Sequence, residues 1–271
     1  MASINTNMSA VIAVSNLNKT SDEMTSVLTA MSSGQAINSA SDDAAGLAVY
    51  TAMSVDHAAW EQAGNNAEIG TAILETADGG LSEIADILER MYELASQASS
   101  GSVTDTERAY LDDEYQELLT QIDSIVESTT YFDTSLLDGS YSESFTVSAD
   151  STATPIDVTI ATAFDTTGLA LAAAVDTSTN ATTALGEIEA AIETVSAGRA
   201  EVGAVMSRFD YAAGNIETAQ TNLESAMSVY MDADIAELSA TQTELGVKMD
   251  SAIQALSVSN ENLEKLSRLL S

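Results

Sequence analysis

Few residues in this sequence could support catalysis or hold a metal ion. The 271 residues include no cysteine and a single histidine, His57. Thiolate nucleophiles, thiolate zinc sites and motifs that need two histidines are therefore excluded. No Gly-x-Ser-x-Gly sequence, which would place a serine on a nucleophile elbow, occurs in the chain. We expect no enzymatic activity, no metal site and no cofactor, because few groups remain for a base or nucleophile.

The charge balance and the hydrophobicity of the chain limit its partners. Asp and Glu number 42 against eight Lys and Arg, for a net charge of −34. Such a chain repels a phosphate backbone, so we expect no nucleic-acid partner. No stretch stays apolar over the roughly 18 residues of a membrane span, so we expect no membrane partner either. Residues 1–18 lack the basic start and apolar core of a secretory signal peptide, and we expect no cleaved signal.

The composition and the spacing of apolar residues favour long helices. The chain is 45% hydrophobic and 5% aromatic, and its single proline is Pro155. That hydrophobic share is too large for a disordered acidic chain. Apolar residues recur at alternating intervals of three and four residues, which is the pattern of a coiled-coil seam. The pattern covers four stretches, which are 74–98, 111–125, 185–230 and 245–270.

Capping signals indicate where two of these helices begin and end. The acidic residues 42–43 suit the first turn of a helix that we expect to end near Ser99. The sequence Thr104-Asp105-Thr106-Glu107 has the pattern of a capping box, and the helix that it opens should end near Ser128. The sequence therefore predicts a pair of consecutive helices in the first half of the chain.

Residues 140–183 differ from the rest of the chain, since Ser, Thr, Ala and Asp dominate there. Apolar and polar residues alternate in two short runs, which is typical of β-strands. The alternating apolar residues are Phe145, Val147, Ile156, Val158 and Ile160. We expect a small β-hairpin followed by a loop, with helix returning near Thr183.

Each end of the chain carries an amphipathic apolar stripe. At the N-terminal end the stripe comprises Ile4, Met8, Val11, Leu17, Met24, Leu28 and Met31. At the C-terminal end it comprises Leu245, Met249, Leu256, Leu263, Leu266 and Leu270. The stripes are either buried against each other within one molecule or buried between molecules. Helices that become stable only on assembly would fit the second alternative, and the residues alone leave both open.

Several motifs in this chain resemble those of the bacterial flagellins. The longest runs from Ser32-Ser33-Gly34-Gln35 to Gly46-Leu47-Ala48. Others are Asn65-Asn66-Ala67, Arg90-Met91-Tyr92-Glu93-Leu94-Ala95, Leu136-Leu137-Asp138-Gly139, Arg199-Ala200-Glu201-Val202-Gly203-Ala204 and Asp232-Ala233-Asp234. The resemblance covers about residues 1–139 and 183–271, and the segment 32–48 is its most specific part.

The resemblance implies a mainly α fold, with a long antiparallel coiled-coil helical bundle and a small β-hairpin excursion. In flagellins the terminal helices form an inner-tube coiled coil, and the longer helices form an outer tube. The expected division is residues 1–41 for the N-terminal inner-tube helix and spoke and 42–139 for the N-terminal outer-tube helices. A short variable region follows at 140–183, then the C-terminal outer-tube helix at 184–231 and the C-terminal inner-tube helix at 232–271.

The same resemblance implies the partners and the location of the chain. We expect a homopolymer of many copies in the extracellular flagellar filament, exported by the flagellar export apparatus without a cleaved signal peptide. A chaperone that binds the C-terminal segment, hook-associated proteins and cap proteins are further expected partners. The hook–filament junction protein and a coiled-coil adaptor are the alternatives. Long homopolymers would exclude both of them.

One further expectation concerns a surface that innate immune receptors read in some flagellins. Arg90, Leu94 and Glu114 match the positions of that surface. Arg90 and Leu94 are four residues apart, so they share one face of a helix. The first role that we assign to these residues is packing between subunits.

The acidic composition predicts that assembled filaments depend on salt. Two unit charges 4 Å apart in water repel by about 1 kcal/mol, and physiological salt screens them beyond roughly 8–10 Å. Since a filament repeats every acidic surface, we expect adaptation to high salt or bound cations to offset the repulsion. Filaments transferred to low salt with a chelator should lose heat stability, measured as the temperature of depolymerisation. Equal heat stability in both buffers would contradict this.

Overall fold

The computed structural model describes residues 7–150 and 152–270, with no description of the side chains of residues 266, 267, 269 and 270. Within this part the chain forms five α-helices and two antiparallel β-hairpins, and the predicted fold class is confirmed. The elements are α1 (Met8–Ser33), α2 (Ala44–Ser99), α3 (Asp105–Ser128), β1 (Thr130–Tyr131), β2 (Thr134–Ser135), β3 (Tyr141–Phe145), β4 (Ile156–Ile160), α4 (Ser178–Met231) and α5 (Ile235–Leu270).

The chain divides into two compact units. The terminal unit contains the described residues up to Val55 and from Asn222 onward, and the central unit spans Asp56–Thr221. Both dividing lines fall within long helices, α2 and α4. Charge is distributed unevenly, because thirty of the 42 acidic residues and only four of the eight basic residues lie in the central unit.

The core of the central unit is built on the apolar ladder of α2. Every predicted member of that ladder is buried: Leu74, Ala77, Leu81, Ile84, Leu88, Met91, Ala95 and Ala98. On α4 the buried residues include five apolar side chains spaced seven residues apart within the predicted stretch 185–230, namely Ile188, Val195, Val202, Phe209 and Ile216. Burial of these side chains, at roughly 25 cal/mol per Å² of apolar surface, is the main favourable term in holding the helices together.

Polar contacts within the central unit show that its helices run antiparallel. The Arg199 guanidinium of α4 contacts the Asp78 carboxylate of α2 at 2.8 Å. Nearer the end of α2, the Tyr92 hydroxyl donates to Glu189 at 3.2 Å. Rising residue numbers on α2 therefore meet falling numbers on α4, as the predicted antiparallel bundle requires.

Two glycines of α2 allow close approach by other elements. A Cβ at Gly70 would lie 2.5 Å from Cζ of the buried Phe209, and a Cβ at Gly80 would lie 2.7 Å from Oγ1 of Thr129. Gly79 beside it faces open space. Helix α2 continues through both Gly79 and Gly80, because the packing around Gly80 offsets their poor helix propensity.

The predicted helix boundaries agree closely with the structure at three positions. Helix α2 ends at Ser99 and α3 at Ser128. Thr104 accepts a hydrogen bond from the Glu107 amide, and Glu107 accepts one in return from the Thr104 amide at 2.8 Å, so the capping box is present. None of the helices in the described part has the length and apolar character needed to cross a bilayer.

The segment between β4 and α4 is more ordered than the predicted loop. Four of its apolar side chains are buried in the core of the central unit: Phe164, Leu169, Leu171 and Val175. Helix α4 begins at Ser178, earlier than the predicted Thr183, because the Thr177 hydroxyl accepts a hydrogen bond from the Asn180 amide at 3.1 Å.

The glycine contacts predict opposite effects of one substitution at two positions of α2. Gly79→Ala should raise the free energy of unfolding of the monomer by about 0.5–1 kcal/mol, since alanine favours the helix and meets no neighbour. Gly70→Ala should lower it by about 1–3 kcal/mol, since the new methyl group displaces the Phe209 ring. Urea unfolding followed by circular dichroism measures both. Equal stability of the two variants would contradict this account of the packing.

Candidate functional site

Helices α1 and α5 of the terminal unit pack against each other in antiparallel orientation. At the start of α1, the Asn7 side-chain amide donates to the Ser259 carbonyl oxygen at 3.1 Å. After the end of α1, the Ala233 amide donates to the Gly34 carbonyl oxygen at 3.0 Å. The Ala36 amide donates to the Met231 carbonyl oxygen at 2.7 Å, so a short backbone pairing fixes the register at this end.

The contact between α1 and α5 is a seam of buried and half-buried apolar side chains. Six of the predicted packing residues lie on it: Leu17, Met24, Leu245, Met249, Leu256 and Leu263. Alanines at positions 10, 13, 30 and 252 complete the seam and keep the helices close. Part of the apolar stripes is thus covered within one molecule. Ile4 lies outside the described residues, as do the side chains of Leu266 and Leu270.

Other predicted packing residues remain on the surface of the terminal unit. Met8 is 66% exposed, and Val11 and Leu28 are also exposed. Met8, Val11 and the exposed Ile12 follow the spacing of one helix face, turned away from the seam. No charged residue precedes Lys19 in the chain, so this face is both apolar and uncharged.

Helix α5 also has apolar residues on its outer face. Val247 and Val258 are both exposed and lie opposite the seam, eleven residues or about three turns apart. Met8, Val11 and Ile12 face the opposite side of the pair from these valines, and we call the two sets together the outer apolar surface of the α1–α5 pair. Several exposed apolar side chains on one helix face, as at Met8, Val11 and Ile12, are typical of a surface that another molecule covers.

The predicted receptor surface is only partly exposed. Arg90 donates to Glu114 from Nε at 3.0 Å and from Nη2 at 2.7 Å, and from Nη1 to Glu93 at 2.8 Å. These bonds raise the pKa of Arg90 above its usual value, and the bonds to Glu114 contribute most to that rise. Leu94 is only 1% exposed and lies in the core of the central unit. Arg90 and Glu114 therefore form the surface part, and recognition by a receptor stays a prediction.

The described residues give little support for a metal or cofactor site. Among residues 7–150 and 152–270, no three His, Asp or Glu side chains come together in a way that could hold a metal ion. The features that stand out are instead the seam and the outer apolar surface, which are suited to contacts between helices.

Comparison with known proteins agrees with these features. A family model described as the bacterial flagellin N-terminal helical region matches residues 4–142, and one described as the C-terminal helical region matches residues 185–270. The chain belongs to the bacterial flagellin family. Flagellins are structural proteins, and the resemblance predicted from the sequence motifs is confirmed. The segment between the two matches contains β4, the connecting segment and the start of α4.

Relatives match the chain over nearly its full length. A flagellin of Listeria innocua is 32% identical, with 98% of this chain and 99% of the relative covered. A flagellar filament 30.7 kDa core protein of Treponema maltophilum is 30% identical over 99% of each chain. Among solved structures, Bacillus cereus flagellin superposes with a TM-score of 0.52 at 27% identity, covering 60% of this chain and 94% of that one.

Several carboxylates of this flagellin have an internal role that sequence reasoning missed. Asp123 of α3 accepts hydrogen bonds from the Thr166 amide and hydroxyl at 2.8 and 3.0 Å. Asp112 accepts from the Val175 amide at 2.8 Å, and Glu187 from the Ala172 and Ala173 amides at 2.9 Å. These bonds hold the segment between β4 and α4. In the sequence each of these carboxylates is simply an acidic residue on a predicted helix. The pattern does not distinguish it from the many acidic residues that face solvent.

One arginine was also missed. Arg108 is buried and donates from Nε to the Ala98 carbonyl oxygen at 2.8 Å and from Nη2 to the Ser100 carbonyl oxygen at 3.1 Å. It therefore satisfies carbonyl groups at the end of α2, which would otherwise lack partners inside that helix. Its position four residues after Thr104 places it on the first turns of α3, facing back to α2.

Beside these carboxylates, Tyr115 is fully buried, and its hydroxyl has no hydrogen-bond partner among the described residues. Burial, together with the charges of Glu187 and Asp112, raises the pKa of Tyr115 from 10.0 to about 12. Below pH 10 the phenol is protonated in both the folded and the unfolded state. Above pH 10 the unfolded chain loses the proton first, so the free energy of unfolding falls until about pH 12.

Tyr115→Phe should therefore remove part of the alkaline sensitivity of the monomer. At pH 7 the variant should be as stable as the unsubstituted chain or more so, since it removes an unpartnered buried hydroxyl. Between pH 10 and 12 it should retain up to about 2 kcal/mol more of its free energy of unfolding. Urea unfolding across this pH range measures both effects, with the exposed Tyr110→Phe as the control. Parallel pH profiles for the two variants would contradict the prediction.

Proposed function

We propose that this chain is a structural subunit that self-assembles into the flagellar filament used for swimming, through packing of its N- and C-terminal helices. The observation that carries the proposal is the outer apolar surface of the α1–α5 pair. It is exposed in the single chain, and its α1 part contains no charge. Covering this α1 part with other copies removes apolar surface from water without desolvating a charged group.

The distribution of acidic residues also supports contact between copies through the terminal helices. The outer apolar surface belongs to the terminal unit, while thirty acidic residues lie in the central unit. Copies that meet through Met8, Val11 and Ile12 of α1 bury neutral, apolar side chains. We infer that α1 and α5 form the inner tube, that 42–139 and 184–231 supply the outer tube, and that 140–183 contributes a small outward-facing part.

The partners expected from the resemblance belong to this proposal. We infer that the chain leaves the cell through the flagellar export apparatus without a cleaved signal peptide, and that a chaperone covers α5 before export. The exposed Val247 and Val258 of α5 are the residues that such a chaperone would cover. Hook-associated and cap proteins would contact the two ends of the filament.

Two alternatives are less well supported. A hook–filament junction protein forms a short ring, whereas relatives matching nearly the full length are named as a flagellin and a flagellar filament core protein. A coiled-coil adaptor would need one partner helix, and both family matches place this chain elsewhere. Neither alternative is favoured by a feature of the described residues.

Electron microscopy after salt-induced polymerisation tests the proposal. The full chain should form long filaments, and a chain lacking residues 1–33 should form none. Short rings or monomers from the full chain would favour the alternatives. Long filaments from the shortened chain would contradict the role of α1.

Point variants test the outer apolar surface more sharply. The double variant Val11→Ser with Ile12→Ser leaves the seam side chains in place and should raise the critical concentration for polymerisation about tenfold or more. Sedimentation of polymer across a range of total protein concentrations measures it. Ser9→Ala, at an exposed polar position in the same turn, is the control and should polymerise normally. An unchanged critical concentration in the double variant would exclude this surface from assembly.

A further inference from the structure

The hairpin β1–β2 has an unusual turn in the central unit. Tyr131 pairs with Thr134, which leaves Phe132 and Asp133 as a two-residue loop. Both loop residues have positive φ, 45° at Phe132 and 63° at Asp133. Positive φ at both positions defines a type I′ turn, for which Asn-Gly is strongly preferred. Asp tolerates this conformation, whereas a bulky aromatic residue is disfavoured there.

The side chain at this strained position is also the most exposed large hydrophobic group of the chain as described. Phe132 is 86% exposed, and its ring packs in a T-shaped arrangement with the Tyr131 ring, with 4.8 Å between centroids. The turn therefore combines backbone strain with an apolar group in water. Neither feature stabilises the single chain. Strain that persists in a folded protein commonly marks a functional position.

The base of the hairpin is held firmly, so the tip is presented in a fixed place. Leu136 and Leu137 are fully buried, and the Leu136 amide donates to the Thr129 carbonyl oxygen at 3.1 Å. Thr129 is itself buried, and its side chain packs against Gly80 of α2, where the absence of a Cβ leaves room for it. A side chain fixed in this way loses little conformational entropy when another molecule covers it.

The central unit also contains a surface that matches the tip in chemistry. Of its four arginines, Arg90, Arg108 and Arg199 form ion pairs. Arg208 of α4 is exposed and makes no hydrogen bond or ion pair within the part of the chain that the structure describes. Tyr211 is 83% exposed and lies three residues further along, on the same side of the helix. An exposed cation thus lies beside an exposed aromatic ring.

We propose that Phe132 and Asp133 of one copy bind Arg208 and Tyr211 of a second copy in the filament. The inference rests on the proposed function, since it needs copies in contact. In this contact the Phe132 ring packs on the Tyr211 ring, and the Asp133 carboxylate pairs with the Arg208 guanidinium. A second copy is the fitting occupant because the two surfaces are complementary to each other. Acidic side chains dominate the rest of the central unit, where identical copies repel.

Replacing the turn separates the role of Phe132 in folding from its role in contact. Phe132→Asn combined with Asp133→Gly supplies the preferred turn, so the unfolding temperature of the monomer should rise. The critical concentration for polymerisation should nevertheless rise about tenfold, as for loss of an interface aromatic residue. Ala170→Gly is the control, because Ala170 also has positive φ, 54°, and offers no aromatic ring. That variant should polymerise as the unsubstituted chain does.

Charge reversal tests the assignment of the partner residue. Asp133→Arg and Arg208→Asp should each raise the critical concentration, and the two together should restore most of the loss. Failure of the pair to restore polymerisation would overturn the contact with Arg208. An unchanged critical concentration in the Asn-Gly variant would overturn the role of Phe132. If the unsubstituted chain forms no filaments, both the proposed function and this contact are contradicted. If it forms filaments and the variants polymerise as it does, only the contact is contradicted.

Labelling gives a readout that does not depend on polymer yield. The chain contains no cysteine, so Thr134→Cys, at the exposed position next to the two-residue loop, creates a single attachment site for a polarity-sensitive fluorophore and leaves Phe132 in place. Emission should shift to shorter wavelength on polymerisation, whereas a label at the exposed position of Ser102 should not shift. Equal emission at position 134 before and after polymerisation would overturn the contact.

Discussion

Burial of the apolar ladder of α2 is the interaction on which the central unit depends. The ladder runs over the part of α2 from Leu74 to Ala98, and α3, the hairpins and α4 all contribute to the core around it. Small residues decide how closely each partner approaches, as at Gly70 against Phe209 and at Gly80 against the base of β1–β2. A long helix without this face would be only marginally stable in water. The carboxylates of Asp112, Asp123 and Glu187 can hold the connecting segment only because the packed helices bring them to it.

The distribution of charge is the second constraint on the structure. It distinguishes the acidic surface of the central unit from the uncharged apolar surface that we propose for assembly. Acidic residues cover the central unit, where the few arginines are largely engaged within the chain. The first turns of α1 have no charge, and Met8, Val11 and Ile12 are exposed there. A polymer of identical acidic subunits needs neutral contacts of this kind, since burying an unpaired carboxylate would cost more than it contributes. Two exposed residues of the central unit depart from this pattern. Arg208 is a cation on an otherwise acidic surface, and Phe132 is a large apolar side chain exposed on that surface.

Sequence signals were sufficient wherever structure follows from local chemistry. The capping box at Thr104 and the ends of α2 and α3 depend on residues a few positions apart, and they appear as predicted. The ladder of α2 was equally legible, because a regular spacing of apolar residues fixes one face of a helix. Predictions were less complete where partners are distant in sequence. The segment after β4 looked like a loop, because its Ser- and Thr-rich composition hides four apolar residues that meet a core built elsewhere.

By itself, the sequence determined the family, the helical class, the order of the helices and the two terminal stripes, since all of these follow from motifs and periodicity. Only the tertiary structure decided which stripe residues are covered: Leu17 and Met249 on the seam, Met8 and Val11 outside it. It also placed Leu94 in the core and Arg90 on the surface, and it revealed the strained turn at Phe132. The physical reason is that periodicity gives a helix an apolar face. The partner that covers each part of that face is set by distant residues.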